Sequence, residues 1–320
     1  MNKSLSERLL AGDRYALTKI LSEVDNATQI GYQTSDELYS FGGKAWIVGI
    51  TGSPGSGKST LVNSLALRLS EQGKKIAILA VDPSSPFSGG AILGDRVRMK
   101  DLYGKPDIFI RSVSSRGHLG GVSSSTLRMA RIFDAAGFDT ILIETVGIGQ
   151  NEIEVSKLAH TTIVVEAPGF GDEIQAIKAG ILEIADILVV NKSDLPGVDA
   201  TVSALVGMID LGYSAKEEGK ITPWVPPVVK VSSPKGEGIS ELITFMDAHR
   251  GYMRQHGLDS EIEKRAAIEE IGDEVEQWVR EKYLNPKTNP ELTALITQIS
   301  KRELSPRVAA HRLIRNIKLH

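Results

Sequence analysis

Gly52-Ser53-Pro54-Gly55-Ser56-Gly57-Lys58-Ser59-Thr60 decides how the rest of the chain is read. An apolar run at 45–50 precedes it and has the character of a buried strand. Leu61, Leu65 and Leu69 follow at four-residue intervals, the spacing of one helix face. Strand, glycine loop and helix together are the setting in which G-x-x-x-x-G-K-[ST] is a phosphate site. Glycines let backbone N–H groups converge on phosphate oxygens, where a Cβ would block the approach. Lys58 can reach the β- and γ-phosphates, and the Ser59 hydroxyl can ligate Mg²⁺. The positive end of the following helix adds to the attraction. Nucleotide binding by residues 52–60 is therefore expected.

Composition narrows the class. At 320 residues the chain can bury a large core and exceeds one average domain. A formal net charge of −3 supplies no global field for nucleic acid or an anionic membrane. There is no cysteine, which excludes disulfides, thiolate metal sites and a catalytic thiol. Met1-Asn2-Lys3-Ser4-Leu5-Ser6-Glu7 lacks the basic-then-apolar pattern of a signal peptide. No apolar run approaches the ~18 residues that a membrane span needs. A soluble cytoplasmic protein, without nucleic-acid or membrane partners, is the expectation.

Three parts are expected along the chain. Residues 1–43 read as a helical extension: Leu5, Leu9 and Leu10 form one stripe, Leu17, Ile20, Leu21 and Val24 a second, and Asp13 is placed to cap it. Residues 44–250 alternate strands and helices, with strands expected at 45–50, 75–81, 108–113, 140–145, 161–167, 187–191 and 228–231. Near-continuous apolar strands between helices imply an α/β fold, a mostly parallel sheet flanked by helices, with ligands at its carboxyl edge. Residues 251–320 read as a second helical extension. Ile268, Ile271, Val275, Trp278 and Val279 form an apolar stripe, Asn285-Pro286 and Asn289-Pro290 break it, and Ser305-Pro306 fits N-cap and N1 of a last helix. Such stripes need a partner surface, either the α/β domain or another subunit.

Acidic residues follow two of the strands. Asp82, in Asp82-Pro83-Ser84-Ser85-Pro86, suits Mg²⁺, a hard cation that prefers oxygen ligands, or it caps a turn. Asp95, in Asp95-Arg96-Val97-Arg98-Met99, lies beyond a glycine-containing loop, and the Pro, Ser and Gly there suit a segment that reorders with a γ-phosphate. Glu144-Thr145-Val146-Gly147 stands where GTPases usually carry Asp-x-x-Gly; one methylene longer, Glu144 can reach the metal or orient a water. Ile148 takes the place of the glutamine that positions attacking water in Ras-type GTPases. Gln150 and Glu152 are nearby substitutes or plain surface groups. Slow intrinsic turnover is expected.

Asn191-Lys192-Ser193-Asp194 closes another strand, about 130 residues after the phosphate loop. The Asp194 carboxylate can accept from guanine N1–H and N2–H₂ together, whereas adenine would leave it unpaired. Mismatches of that kind discriminate by ~10⁴. Ser232-Ser233-Pro234-Lys235-Gly236 follows the last strand and fits a loop that closes over the base. Guanine nucleotides, GTP and GDP, are the expected ligands.

These motifs, together with Glu144-Thr145-Val146-Gly147-Ile148-Gly149-Gln150 and Pro168-Gly169-Phe170-Gly171-Asp172-Glu173-Ile174-Gln175, resemble the MeaB/ArgK group of P-loop GTPases. The resemblance extends over essentially the whole chain, and its most specific part is 168–175. It implies the SIMIBI-type P-loop NTPase fold and a Mg²⁺-dependent GTPase that is slow alone and stimulated by its partner. It further implies a metallochaperone that gates adenosylcobalamin delivery to a cobalamin-dependent acyl-CoA mutase, methylmalonyl-CoA mutase above all, and protects that enzyme. Carried onto this chain, the metal acids are Asp82, Asp95 and Glu144 beside Ser59. Segment 167–178 becomes the switch that senses the mutase, with Lys178 reaching phosphate in the activated state or, in the plainer view, a solvated helical lysine. The group's homodimers favour a subunit contact for the C-terminal stripe. Nickel-enzyme maturation is a rival, weakened by the absence of cysteine and by the isolation of His118 and His160. A free-standing regulatory GTPase is another, and a role in basic-amino-acid transport conflicts with the guanine motif and the lack of a span.

Overall fold

The computed structural model describes residues 3–83, 99–115, 124–145, 150–169, 183–213 and 222–315. Seven strands among them form one sheet: β1 Trp46–Gly52, β2 Ile76–Pro83, β3 Ile108–Ser115, β4 Thr140–Thr145, β5 Thr161–Glu166, β6 Ile187–Val190 and β7 Val228–Lys230. Their spatial order is β3-β2-β4-β1-β5-β6-β7, and every pairing is parallel. The strand runs anticipated from hydropathy are all present, with ends displaced by a residue or two. Strands β1, β4, β5 and β6 are buried along their whole length. That burial is why they read as continuous apolar runs rather than alternating ones.

Among the described residues, helices lie in the connections β1–β2, β3–β4, β4–β5 and β6–β7. The first one described here, α4 Lys58–Glu71, lays Leu61, Val62, Leu65, Ala66 and Leu69 onto Val48, Ile50, Leu142 and Ile163 in the main core. Beyond β6, the helix α7 Val198–Tyr213 packs Leu205 and Ile209 with Val164, Leu188 and Val190 in a separate cluster. Between these lie α5 Ser124–Ala135 and α6 Gln150–Leu158, and α8 Ile239–His256 follows β7.

The N-terminal helices α1 Leu5–Leu10, α2 Arg14–Asp25 and α3 Gln29–Leu38 precede β1. Asp13 caps α2 by accepting from Tyr15 and Ala16 N–H at 2.8 and 3.2 Å, as its position suggested. Leu17, Ile20, Leu21 and Val24 are buried. Leu9 joins the interior while Leu10 is exposed, so the first stripe is narrower than expected. Arg14 donates to the Ile108 carbonyl at 2.9 Å, and Arg111 meets Asp25 at 2.9 Å, fastening α2 to strand β3.

At the amino edge of the sheet a polar chain, buried as far as His249 and part-exposed at Asp186, ties β1, β5 and the helix after β7 to the link before β6. Trp46 Nε1 donates to Thr161 Oγ1 at 2.8 Å, and Thr161 Oγ1 meets His249 Nδ1 at 2.9 Å. Indole can only donate, so the Thr161 hydroxyl accepts from Trp46 and shares its second hydrogen bond with His249. His249 Nε2 then faces Asp186 Oδ1 at 3.3 Å, and Asp186 Oδ2 accepts from Thr162 N–H at 2.7 Å.

The chain divides into two compact units, residues 1–263 and 264–320. In the second, Leu295, Ala309 and Leu313 form a small core with Tyr283, Leu292, Ile299 and Leu304. They come from the end of α9 Leu258–Tyr283, from α10 Pro290–Ser300, from α11 Pro306–Arg315 and from the turn between the last two. Asn289-Pro290, read as a breaker, is also a start signal: Asn289 Oδ1 accepts from Glu291 and Leu292 N–H, with Pro290 at N1. No described helix is long and apolar enough to cross a membrane.

Candidate functional site

Parallel register brings the carboxyl ends of the strands to one edge, and the polar loops converge there. Gly52 ends β1 opposite Val165, and its φ of +128° lies where only glycine is at ease. A Cβ at Gly52 would stand 2.1 Å from the Val165 carbonyl oxygen, so the close strand approach requires glycine. Gly57 caps α4 at φ +91°, and a Cβ there would meet Asn191 Nδ2 at 2.5 Å. The loop between them leads straight into the N-terminus of α4, the ready-made anion site.

Lys58 does not reach outward from that helix. Its ammonium turns back to donate to the Gly52 carbonyl at 2.8 Å and the Ser53 carbonyl at 3.0 Å. The next residue, Ser59, donates its hydroxyl to Glu144 Oε1 at 2.6 Å. Glu144 belongs to β4, paired with Ile50 of β1, and its side chain is 1% exposed. A hydroxyl and a carboxylate meeting beside a phosphate loop fit Mg²⁺, which takes one or two protein oxygens and keeps several waters. Among the described residues no group of three or more His, Cys, Asp or Glu could hold a metal ion. Asp82 is the penultimate residue of β2, at the same edge. Asp95 and Lys178 lie outside the described residues, as do Ile148 and all of segment 167–178 beyond Gly169.

The residues expected to hold the base form a second clasp. Asn191 Nδ2 donates to the Ser56 carbonyl at 2.9 Å and more weakly to that of Gly57, while its Oδ1 accepts from Ser233 N–H and Oγ–H. One amide thereby joins the phosphate loop to the loop after β7. Lys192 takes a left-handed φ of +56° and sends its ammonium to the Gly55 carbonyl at 2.7 Å. Asp194 is exposed and accepts from Ser232 Oγ at 2.9 Å. That bond, then its own backbone N–H, and the nearby Lys235 charge hold the carboxyl below the usual carboxylate range. An ionised, oriented acceptor is what the guanine N1–H and N2–H₂ edge requires. Pro234 sits inside the short 3₁₀ turn Ser233–Lys235, which Ser64 of α4 anchors through the Ser233 carbonyl at 2.8 Å.

One functional candidate escaped the sequence pattern. Glu166 closes β5, is 4% exposed, and accepts from Ser53 Oγ at 2.6 Å. Its signal in the sequence was only a charge ending the apolar run Thr161-Thr162-Ile163-Val164-Val165.

Comparison with known proteins agrees with this geometry. Residues 15–288 match the family model described as "Methylmalonyl Co-A mutase-associated GTPase MeaB". The Escherichia coli protein GTPase ArgK is 32% identical over 96% of this chain and 93% of its own. The mouse mitochondrial methylmalonic aciduria type A homolog is 34% identical over 85% of this chain and 65% of its own. The crystal structure of a LAO/AO transport system kinase superposes with a TM-score of 0.68 at 25% identity, covering 97% of this chain and 95% of that one.

Proposed function

Since the chain belongs to the MeaB family of P-loop GTPases, we propose that it hydrolyses GTP to gate adenosylcobalamin delivery to a cobalamin-dependent acyl-CoA mutase and to protect that enzyme. Methylmalonyl-CoA mutase is the client this reading favours. The supporting observation is the match to a mutase-associated family along 15–288, together with a phosphate loop and a guanine-type clasp assembled on one sheet edge.

In this reading residues 52–60 cradle the phosphates, and Asn191, Lys192, Asp194, Ser232, Ser233 and Pro234 hold the base. Lys58 neutralises charge developing on the transferring phosphoryl oxygens, the largest single contribution such sites make. Ser59 and Glu144, with Asp82 and Asp95, would hold Mg²⁺, which would supply positive charge against the phosphates. With Ile148 where a glutamine would orient water, the isolated site is slow. The mutase moves segment 167–178, and Lys178 completes the activated site. Ile268, Ile271, Val275 and Trp278, all exposed at 3-4-3 spacing on α9, form the seam of a homodimer. The protein works in the cytoplasm.

GTP hydrolysis measured with and without purified methylmalonyl-CoA mutase tests the proposal. Ordering worth ~3 kcal/mol in the transition state corresponds to a stimulation of about a hundredfold. An unstimulated rate rejects gating of that client.

A further inference from the structure

The Glu166 carboxylate is buried beside a loop built for a polyanion. Such placement costs free energy that an apolar side chain would not incur. What the carboxylate does there is visible in its contacts. Oε2 accepts from the Ser53 hydroxyl at 2.6 Å. Ser53 in turn lends its carbonyl to the Lys58 ammonium at 3.0 Å, next to that of Gly52 at 2.8 Å.

The main chain of Glu166 takes part as well. Its carbonyl accepts from Asn191 N–H at 2.8 Å, and Asn191 grips the far side of the loop through the Ser56 carbonyl. The loop is thus held at its start by the Glu166 side chain and further along through a residue that Glu166 supports. Glu166 is also followed directly by Ala167 and Pro168, so the strand end that holds Ser53 is continuous with the segment beyond.

We infer that Glu166 is a positioning residue for GTP hydrolysis: through Ser53 it sets where Lys58 presents its ammonium to the transferring phosphoryl group. Backbone N–H groups still bind the ground-state phosphates when that bond is lost, so nucleotide affinity is largely kept. Lysine placement matters most where charge develops, and a small displacement there is expensive. The effect therefore falls on kcat.

The test is single-turnover GTP hydrolysis and GDP binding by the full chain, for Ser53→Ala, Glu166→Ala, the double variant and Glu166→Gln. Each single alanine variant should lower the hydrolysis rate about tenfold, with GDP affinity within about threefold of the parent. The double variant should be no slower than either single, because both remove one bond. Glu166→Gln retains an acceptor oxygen and should recover most of the rate. Multiplied losses in the double variant, a parallel fall in GDP affinity, or a Glu166→Gln rate as low as that of Glu166→Ala would each overturn the inference. Ser53→Ala removes one oxygen from a half-buried side chain, so it remains decisive if Glu166→Ala fails to fold: an unchanged rate overturns the inference too.

Discussion

The Ser59 hydroxyl donates to Glu144 Oε1 across 2.6 Å, joining the first turn of the helix after the phosphate loop to the end of strand β4. Eighty-five residues separate the two, and both side chains are buried. In the proposed reading these two groups would hold Mg²⁺.

Glu144→Ala should raise the Mg²⁺ concentration needed for half-maximal hydrolysis and slow turnover at saturation. Lys58→Ala should cut turnover by several orders of magnitude at any Mg²⁺ level, since it removes charge neutralisation in the transition state. A Mg²⁺ titration of both variants separates the roles. Normal hydrolysis by Glu144→Ala at limiting Mg²⁺ would remove Glu144 from the metal site.

In the proposed reading base choice rests on Asp194, whose carboxyl the Ser232 hydroxyl holds below the usual carboxylate range. GTP and GDP should bind far more tightly than ATP and ADP, by ~10⁴ if the carboxylate is left unpaired by adenine. Asp194→Asn should turn preference toward xanthine nucleotides, whose C2 oxygen accepts where guanine donates. Competition titrations read both effects. Equal affinity of the parent for ATP contradicts the assignment.

Partner control is carried by Lys178 in the proposed mechanism. Lys178→Ala should keep basal turnover and GTP affinity while losing the mutase's stimulation. A fully stimulated variant clears this residue of the role.

The amino-edge network makes a pH prediction. Burial lowers His249 from 6.5 to about 4, and burial raises Asp186 from 3.8 to about 7. The histidine contributes stability present above pH 6.5 and lost as pH falls through about 4. The aspartate contributes stability present below pH 3.8 and lost as pH rises through about 7. Across the shared window the two slopes oppose, so together they leave stability nearly level. Asp186→Asn removes one slope and should make the protein lose stability on acidification from pH 6.5 toward 4, by at most about 1.4 kcal/mol per pH unit. Urea midpoints at pH 5 and 7 provide the comparison. A variant profile parallel to the parent's rejects the pairing.

For the C-terminal seam, light scattering should find a dimer of the full chain, and Ile271→Asp should give monomer with unchanged GDP affinity. Ile271 is 64% exposed, so a charge there costs the single chain little. A monomeric parent protein refutes the seam.

Much of this molecule is written in short stretches of its sequence. Gly52, Gly57, Lys58 and Ser59 are recognisable because a phosphate loop imposes backbone and side-chain demands within nine residues. Asp13 as a cap, Leu61, Leu65 and Leu69 as a buried face, and the apolar strands are legible for the same local reason. Tertiary structure alone decided what depends on distant residues meeting. It set β4 between β2 and β1, which delivers Glu144 to Ser59. It gave Asn191 a second task, tying Ser56 to Ser233, and it brought the lone charge at Glu166 onto Ser53. It also closed the chain from Thr161 through His249 to Asp186. No periodicity encodes such contacts, because their energy comes from packing and register across the sheet, summed over the whole core rather than carried by neighbours in sequence.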